Sequence, residues 1–576
     1  MKKQTLVLYY VALFVGAFIY WFFTLIPLNF RDPGFFMHFI FFVFLLLLPF
    51  LHFGIRQKFR ENVRQAQRNR FTPNPPERQQ MPQGCMPFLR QFGGSGGRIK
   101  HAFSTRKLLY IPLVLVVLYL VLSFTGSPII QAKRYARLIN KVEGTFEDDI
   151  AEIQFYDIPT VDRESAMRLG NKRMGEIADL VSQFDVASDY IQINYKGRPV
   201  RVTPLEYGDI FKWFNNRSNG LPRYISVDLI SSEVDLDTIA GGMKYSESEP
   251  LFRNINRVIR FQYPFAIVGD PMFEVDDSGV PYWVTPVLSP RVGWFSGRDV
   301  KEVILTNAVD GKSERYPVEE CPIWVDRAYP SDMIVTQLND NGRYQSGWLN
   351  SLFGQKGVLQ TTAGYNYLAL NDDVYLYTGI TSVASDSSNL GFVLVNQRTK
   401  ETKFYPVSSA DEYSAMASAQ GAVQEKGYVS TFPILLNIEG RPTYCMALKD
   451  NAQLVKMYAL VDAQNYQATA VGNSIREAIA NYKVRLAAQL SSQDAEETVT
   501  APLETLSGSV ADIQSVVIEG NTLYYFMLEG EDLVFSASYG TYEKLPFLKA
   551  GDDVEVEYRS EPIGGVYMVE SMTSGK

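Results

Sequence analysis

Histidine is almost missing. The 576-residue chain has three, His38, His52 and His101, and none after residue 101. Residues 108–576 therefore lack the base of Ser-His-Asp and Cys-His catalysis and any imidazole ligand for zinc. Cysteine is as scarce, with Cys85, Cys321 and Cys445. Cys321 and Cys445 suffice for one disulfide but not for a disulfide framework or a Cys-only metal site, and Cys445, inside an apolar run, reads equally as a buried free thiol. Positive charge is thin past the N-terminal part. The total is −8, with +2 on residues 1–53 and +10 on residues 54–107, which leaves −20 for residues 108–576. So acidic a region argues against nucleic acid as a partner, because phosphate binding rests on Lys and Arg displacing counterions.

What is abundant is apolar sequence near the start. Residues 5–28, 35–55 and 108–130 are long apolar stretches without an internal Asp, Glu, Lys or Arg. Crossing a bilayer takes roughly 20 such residues in a helix, so three spans are expected. The first is too long for the core of a signal peptide, and Pro27-Leu28-Asn29-Phe30 offers no small-residue cleavage site, so an uncleaved anchor is expected. Between the second and third spans, residues 54–107 hold twelve Lys or Arg against Glu61 and Glu77. That bias keeps the loop and the N-terminus cytoplasmic and sends everything after residue 130 outside. Pro73, Pro75, Pro76, Pro82, Pro87 and the run Gly93-Gly94-Ser95-Gly96-Gly97 predict an unstructured loop. His38 and His52 fall near the ends of the second span, where an interfacial position accounts for them.

The outer region is too long for one core and carries an internal repeat. Gly197-Arg198-Pro199, Gly279-Val280-Pro281-Tyr282-Trp283 and Gly440-Arg441-Pro442-Thr443-Tyr444 each follow a short alternating run (191–195, 272–275 and 434–438) and precede a strand. Each reads as a hairpin with glycine in its turn, and third strands are expected at 224–228, 303–306 and 457–462. A divergent copy lies between the last two, because 303–307 through 316–318 matches 392–396 through 405–407 without a gap, with its hairpin turning at Asn371-Asp372-Asp373. A helix precedes each hairpin. Met167, Met174, Ile177 and Val181 share one helical face, as do Leu251, Ile255, Val258 and Ile259; Ser409 with Glu412 predicts a capping box, and 331–338 is the weakest of the four.

The unit of one helix and three antiparallel strands resembles the PepSY family of small extracytoplasmic modules. Gly279-Val280-Pro281-Tyr282-Trp283 and Val309-Asp310-Gly311-Lys312 carry the resemblance best, followed by Leu460-Val461-Asp462. It covers residues 160–485 and implies protein interaction and control of secreted peptidases. The whole chain also looks like an uncharacterised family of bacterial multi-span membrane proteins with this layout. After a helix at 474–490 and a polar segment at 491–500, five strands at 508–518, 522–528, 533–538, 553–559 and 565–570 predict a small OB-like barrel. Its acidic composition favours a structural cap or docking role over oligonucleotide binding.

The expected fold is α+β. Two transmembrane helices (1–55), a basic cytoplasmic loop (56–107) and a third span (108–130) lead to PepSY-like modules at 131–240, 241–328, 329–407 and 408–490 and a barrel at 503–573. Catalytic and cofactor residues are not identified. Gly311-Lys312-Ser313 ends like a phosphate-binding loop, but Thr306 stands where that motif has its first glycine, so a turn is expected. Glu274, Asp276, Asp277, Asp372, Asp373, Asp386 and Asp450 fall in or near loops. None has the EF-hand spacing, which favours solvated turns and leaves any metal unassigned. Tyr282, Trp283 and Trp324 read as core or interface aromatics ahead of a ligand platform. The first expectation is a non-enzymatic, membrane-anchored envelope protein presenting an acidic surface to envelope or membrane proteins. A regulator or inhibitor of an extracytoplasmic peptidase comes second, and a carboxylate-dependent cell-wall polysaccharide enzyme third.

Overall fold

The glycines of the repeated hairpin motif take left-handed turn positions. Gly197 and Gly279 take φ of +76° and +80° between strands Ile191–Tyr195 and Arg198–Tyr207 and between Met272–Val275 and Pro281–Val292. These hairpins belong to a computed structural model that describes residues 3–49, 63, 110–152, 158–370, 372–383, 388–498, 502–518, 521–531, 533–560, 562 and 566–574. The basic loop with Cys85 and His101, as well as His52 and Asp386, lies outside the described residues.

Two compact units divide the chain, residues 1–413 with 434–440 and residues 414–433 with 441–576. In the first unit the helix Arg163–Gly175 accompanies an antiparallel sheet ordered Phe184–Val186, Arg198–Tyr207, Leu221–Asp228, Val234–Met243, with Ile191–Tyr195 also on Arg198–Tyr207. The helix Ile255–Gln262 goes with the antiparallel meander Met272–Val275, Pro281–Val292, Ser296–Asn307, Ser313–Pro317. A third sheet is built on Asp373–Ser382, Gly391–Asn396 and Thr402–Tyr405, beside the helix Ser331–Tyr344. Its outer edge is Val142–Glu143, which joins Thr402–Tyr405 in parallel from far upstream in sequence.

The second sheet is buried on both faces. Phe273, Trp283 and Ile304 enter a core with Ile193, Leu205 and Ile225 of the first sheet, whereas Val284, Val303 and Leu305 enter another with Leu376, Val393 and Val395 of the third. Side chains alternate across a strand, so neighbours such as Trp283 and Val284 serve different cores. The three modules are thus packed as one body.

Three apolar helices join this body. Gln4–Thr24 is long and apolar enough to cross a bilayer, and it is the one single helix among the described residues that is. Tyr110–Thr125 meets that length only together with Pro128–Tyr135, from which it bends by 43°, and Pro33–Pro49 is a shorter apolar helix. The bend falls where Gly126 and Pro128 interrupt the stretch expected to continue to residue 130. Past Thr24 the chain docks on the second module. Leu28 N donates to Pro264 O (2.8 Å), Arg31 to Pro290 O (2.8 Å), Trp294 Nε1 to Phe30 O (2.9 Å), and Arg298 pairs with Asp32 (2.8 Å). Phe295, at the tip of the longest hairpin, is buried between Phe36 and Tyr119, with ring centroids 5.6 and 5.4 Å away.

In the second unit, Val429–Ser430, Arg441–Lys449, Val455–Asp462 and Thr469–Gly472 form an antiparallel sheet. Tyr482, from the helix Ile475–Thr498, is fully buried and meets Thr443 (3.0 Å) and Asp462 (3.3 Å). Strands Leu503–Ile518, Asn521–Leu528, Val534–Ser538, Val566–Ser574 and Asp553–Arg559 close, in that order, into a barrel around Phe526, Phe535 and Val556. Val534–Ser538 with Val566–Ser574 is its parallel pair.

Several local expectations change. The first module's helix stops at Gly175, and Val181, in the separate turn Ala178–Val181, is 47% exposed rather than on a core face. Leu251 is likewise exposed, in a short 3-10 turn ahead of the buried Ile255, Val258 and Ile259. Ser409 does not cap a helix. It pairs in the small strand Ser409–Ala410, and Glu412 turns to Gly379 N (2.9 Å). The segment 331–338 belongs to a fourteen-residue helix, Ser331–Tyr344. The polar segment after residue 490 continues the helix Ile475–Thr498.

Candidate binding cleft

Four carboxylates from four separate segments surround one cleft in the first unit. Asp189, Glu206, Glu247 and Asp270 line it with Phe273 and Trp283, and its volume is about 140 Å³. Each wall is fixed by the local sequence. Arg163 donates to Ser188 O (3.0 Å) and holds the turn carrying Asp189, while Glu206 lies on Arg198–Tyr207 directly opposite Asp185. The Glu247 loop is tied down by Asn254 Nδ2 on Glu247 O (2.9 Å) and by Glu249, which accepts from Tyr207 Oη (2.8 Å) and Trp213 Nε1 (2.7 Å). Gly269 N donates to Pro286 O (2.9 Å) and sets Asp270 at the rim. Trp283 is 3% exposed and donates to Tyr245 O (2.8 Å).

The site carries more acid than base: Arg163 pairs with Asp189 (3.7 Å), whereas Glu206, Glu247 and Asp270 form no salt bridge among the described residues. Burial raises the Glu247 carboxyl above its ordinary value, and the charges of Asp189, Glu206 and Asp270 raise it further. Burial and the charge of Asp185 raise Glu206. An ammonium or guanidinium group seated here would relieve that repulsion. Among the described residues no three of His, Cys, Asp and Glu are grouped to hold a metal ion.

A second polar cluster lies deeper. Glu274, with no exposed surface, accepts from the backbone N–H of Asp326 (2.9 Å) and Arg327 (3.1 Å), and Asp326 accepts from Asn194 N (2.6 Å). Burial pushes both carboxyls up, and the charge of Glu274 adds to the shift at Asp326. Arg327 reaches Ser331 Oγ (3.1 Å) and Tyr367 Oη (3.0 Å), and Gln397 donates to Ser331 Oγ (2.8 Å). Bonds from Asn194, Glu274, Asp326 and Gln397 thus tie all three modules together. Closed to solvent, this cluster is a joint rather than a place for substrate.

The motif residues of the sequence are mostly framework. Gly197, Gly279 and Gly440 are left-handed turn residues, with Gly440 at φ +73°. Pro199 pairs with Asn194, Pro281 with Val275, Pro442 O accepts from Ala463 N (3.0 Å), and Tyr444 is fully buried. Trp283 alone among them reaches the cleft. Gly311, at φ +74°, closes the turn that begins at Asn307, so the Gly-Lys-Ser run is a turn. Tyr282 and Trp324 pack together, centroids 5.0 Å apart, against the core shared with the third sheet. Cys321 and Cys445 are buried free thiols, which burial pushes up to about 12.

Of the loop carboxylates, Asp276 accepts from Ser278 N and Val280 N (both 2.9 Å), Asp373 pairs with Arg398 (2.6 Å), and Asp450 accepts from Leu454 N (2.9 Å). They stabilise their own turns and are not gathered into one site. The cleft acids escaped notice because each is an isolated residue in its own segment, and only the juxtaposition of the first two sheets assembles them.

Neither the comparison with protein-family models nor that with curated proteins finds a match to this chain.

Proposed function

We propose that the chain is a membrane-anchored, extracytoplasmic interaction protein of the bacterial envelope, non-enzymatic, whose acidic cleft holds a cationic segment of a partner protein. The observation that carries this reading is the convergence of Asp189, Glu206, Glu247 and Asp270 on a concave surface walled by Trp283. Carboxylates attract Lys and Arg. Anchoring by three spans, N-terminus inside, is supported by the docking pattern. The connection 25–32 after the first helix and Gly126 at the end of the third both meet the second module, as expected if these helix ends share the outer side. The twelve basic residues of 54–107 favour the same orientation.

The test is titration of the full-length protein in nanodiscs with a fluorescent Lys/Arg-rich peptide and its Glu-rich counterpart. The cationic peptide alone should bind, more weakly at high salt, and Glu247→Gln with Asp270→Asn should weaken it about tenfold, equivalent to roughly 1.4 kcal/mol. Equal binding of both peptides, or no effect of the double substitution, would overturn the reading.

A second reading follows from the hairpin 279–283, which carries the PepSY resemblance and also supplies Trp283 to the cleft. The partner is then an extracytoplasmic peptidase, and deleting the chain should change processing of secreted substrates. Turnover of a wall polysaccharide lost on Glu206→Gln would replace both readings with the carboxylate enzyme.

A further inference from the structure

Next to the first apolar helix, the outer body leaves a row of aromatic side chains exposed. On the short helix Ile210–Asn216, Trp213 is drawn inward by its bond to Glu249, while Phe211 remains 78% exposed beside the exposed Ile210 and Phe214. The 3-10 turn Leu251–Arg253 presents Leu251 and Phe252, the latter 70% exposed, with Leu251 in the left-handed region at φ +54°. That is a costly conformation for leucine, maintained while both side chains face outward.

These pieces are continuous with one another and with the apolar helix. Arg253 donates to Arg217 O (2.6 Å), which links the turn to the end of Ile210–Asn216. Phe252 lies 5.7 Å from Phe22, and Phe261 lies 5.3 Å from Trp21, ring centre to ring centre. Trp21 and Phe22 belong to the last turn of Gln4–Thr24, the level at which a span emerges into the headgroup layer. Basic residues border the row. The Arg217 guanidinium sits 4.0 Å over Phe214 and that of Arg257 5.1 Å over Phe22. Neither these two nor Arg253 forms a salt bridge among the described residues, although Arg253 acts on the buried Glu249 carboxyl and Arg257 donates to Leu251 O (3.1 Å).

We propose that Ile210–Asn216 and Leu251–Arg253 form an interfacial edge that dips into the outer leaflet beside the first span, its aromatic rings among the acyl ends of the headgroups and its arginines on anionic lipid phosphates. Apolar rings on one face and cations at the border are the chemistry of a lipid interface. A lipid surface rather than a protein partner is indicated by the ring contacts that run from Trp21 and Phe22 to Phe261 and Phe252, with Arg253 linking that turn to the helix Ile210–Asn216. The edge would fix the height and tilt of the outer body and hence where its acidic cleft faces. This inference rests on the membrane-anchored reading, so its test includes a probe for that reading.

Full-length protein would be made with a photoreactive benzoyl-phenylalanine in place of Phe211, Phe252, Phe14 or Asp277 and reconstituted into phosphatidylcholine vesicles containing a minority of phosphatidylglycerol. Asp277 is exposed in the turn at the start of Pro281–Val292, the end of that strand remote from the helices. Irradiation and mass spectrometry should give lipid adducts at positions 14, 211 and 252 and none at 277. Arg217→Glu with Arg253→Glu should cut the yield at 211 several-fold, as should removal of phosphatidylglycerol. Lipid adducts at 14 with only protein adducts, or none, at 211 and 252 would overturn the edge while leaving the anchor intact. No adduct at 14 would remove the anchored reading and the edge with it, and equal yields at 277 would overturn a localised edge.

Discussion

Glu274 shows how a single residue couples the fold to pH. Its carboxyl is raised by burial, so the folded chain retains a proton that the unfolded chain releases at the ordinary glutamate value of 4.5. The contribution is fully present below that value and is lost as pH rises to the raised value of about 7, so stability should fall between about pH 4.5 and 7. Glu274→Gln should flatten that part of the thermal-unfolding profile, and an unchanged slope would show that the proton is not held there. Asp326 and Asp340, also raised by burial, act with the same sign, so the substitution should reduce the slope rather than abolish it. Arg201 is the opposite case. It is 6% exposed, burial lowers its pKa to about 10 with the charge of Asp162 opposing that shift in part, and among the described residues it donates to Tyr190 O (3.3 Å) and Gln192 Oε1 (3.2 Å) and forms no salt bridge. Arg201→Met should therefore be neutral or stabilising by about 1 kcal/mol in denaturant unfolding. Arg201 was not legible as special in the sequence, and Glu274 was singled out only among the loop carboxylates expected in solvated turns; it is instead fully buried on the strand Met272–Val275, and the donors that hold it lie more than fifty residues downstream.

Among elements, the hairpin Pro281–Val292 and Ser296–Asn307 bears the most. Each strand has twelve residues, roughly 40 Å at ~3.3 Å per residue, long enough to run from the module cores to the apolar helices. Its tip is specified residue by residue. Gly293 takes φ +62°, and a Cβ there would stand 2.5 Å from Gly126 Cα, so Gly293→Val should separate the hairpin from the third apolar helix. Phe295→Ala should cost about 3 kcal/mol by emptying the space between Phe36 and Tyr119. Both variants should expose the tip to protease in detergent, and unchanged cleavage would argue that the tip does not hold the helices. The repeat signalled this element only to its third strand. Gly-x-Pro and the alternation of 281–288 are local features and could be read directly, whereas the extension to Phe295 depends on helices far away in the chain.

For the whole molecule, the division into two compact units predicts two unfolding events. Phe273→Ala, in the core between the first two sheets, should lower one calorimetric transition, and Phe535→Ala, in the barrel core, the other. A single transition moved equally by both would mean that the units fold as one. The sequence alone determined the local pieces: glycine turns, alternating strands, five barrel strands and apolar helices, because each rests on spacing and backbone preference within a few residues. It also determined the charge asymmetry, which is a count. Only the tertiary structure decided that three modules share cores across the two-faced second sheet, that residues 142–143 complete the third sheet, and that four scattered acids make one cleft. Those outcomes depend on which apolar faces find each other, and burial is blind to separation along the chain.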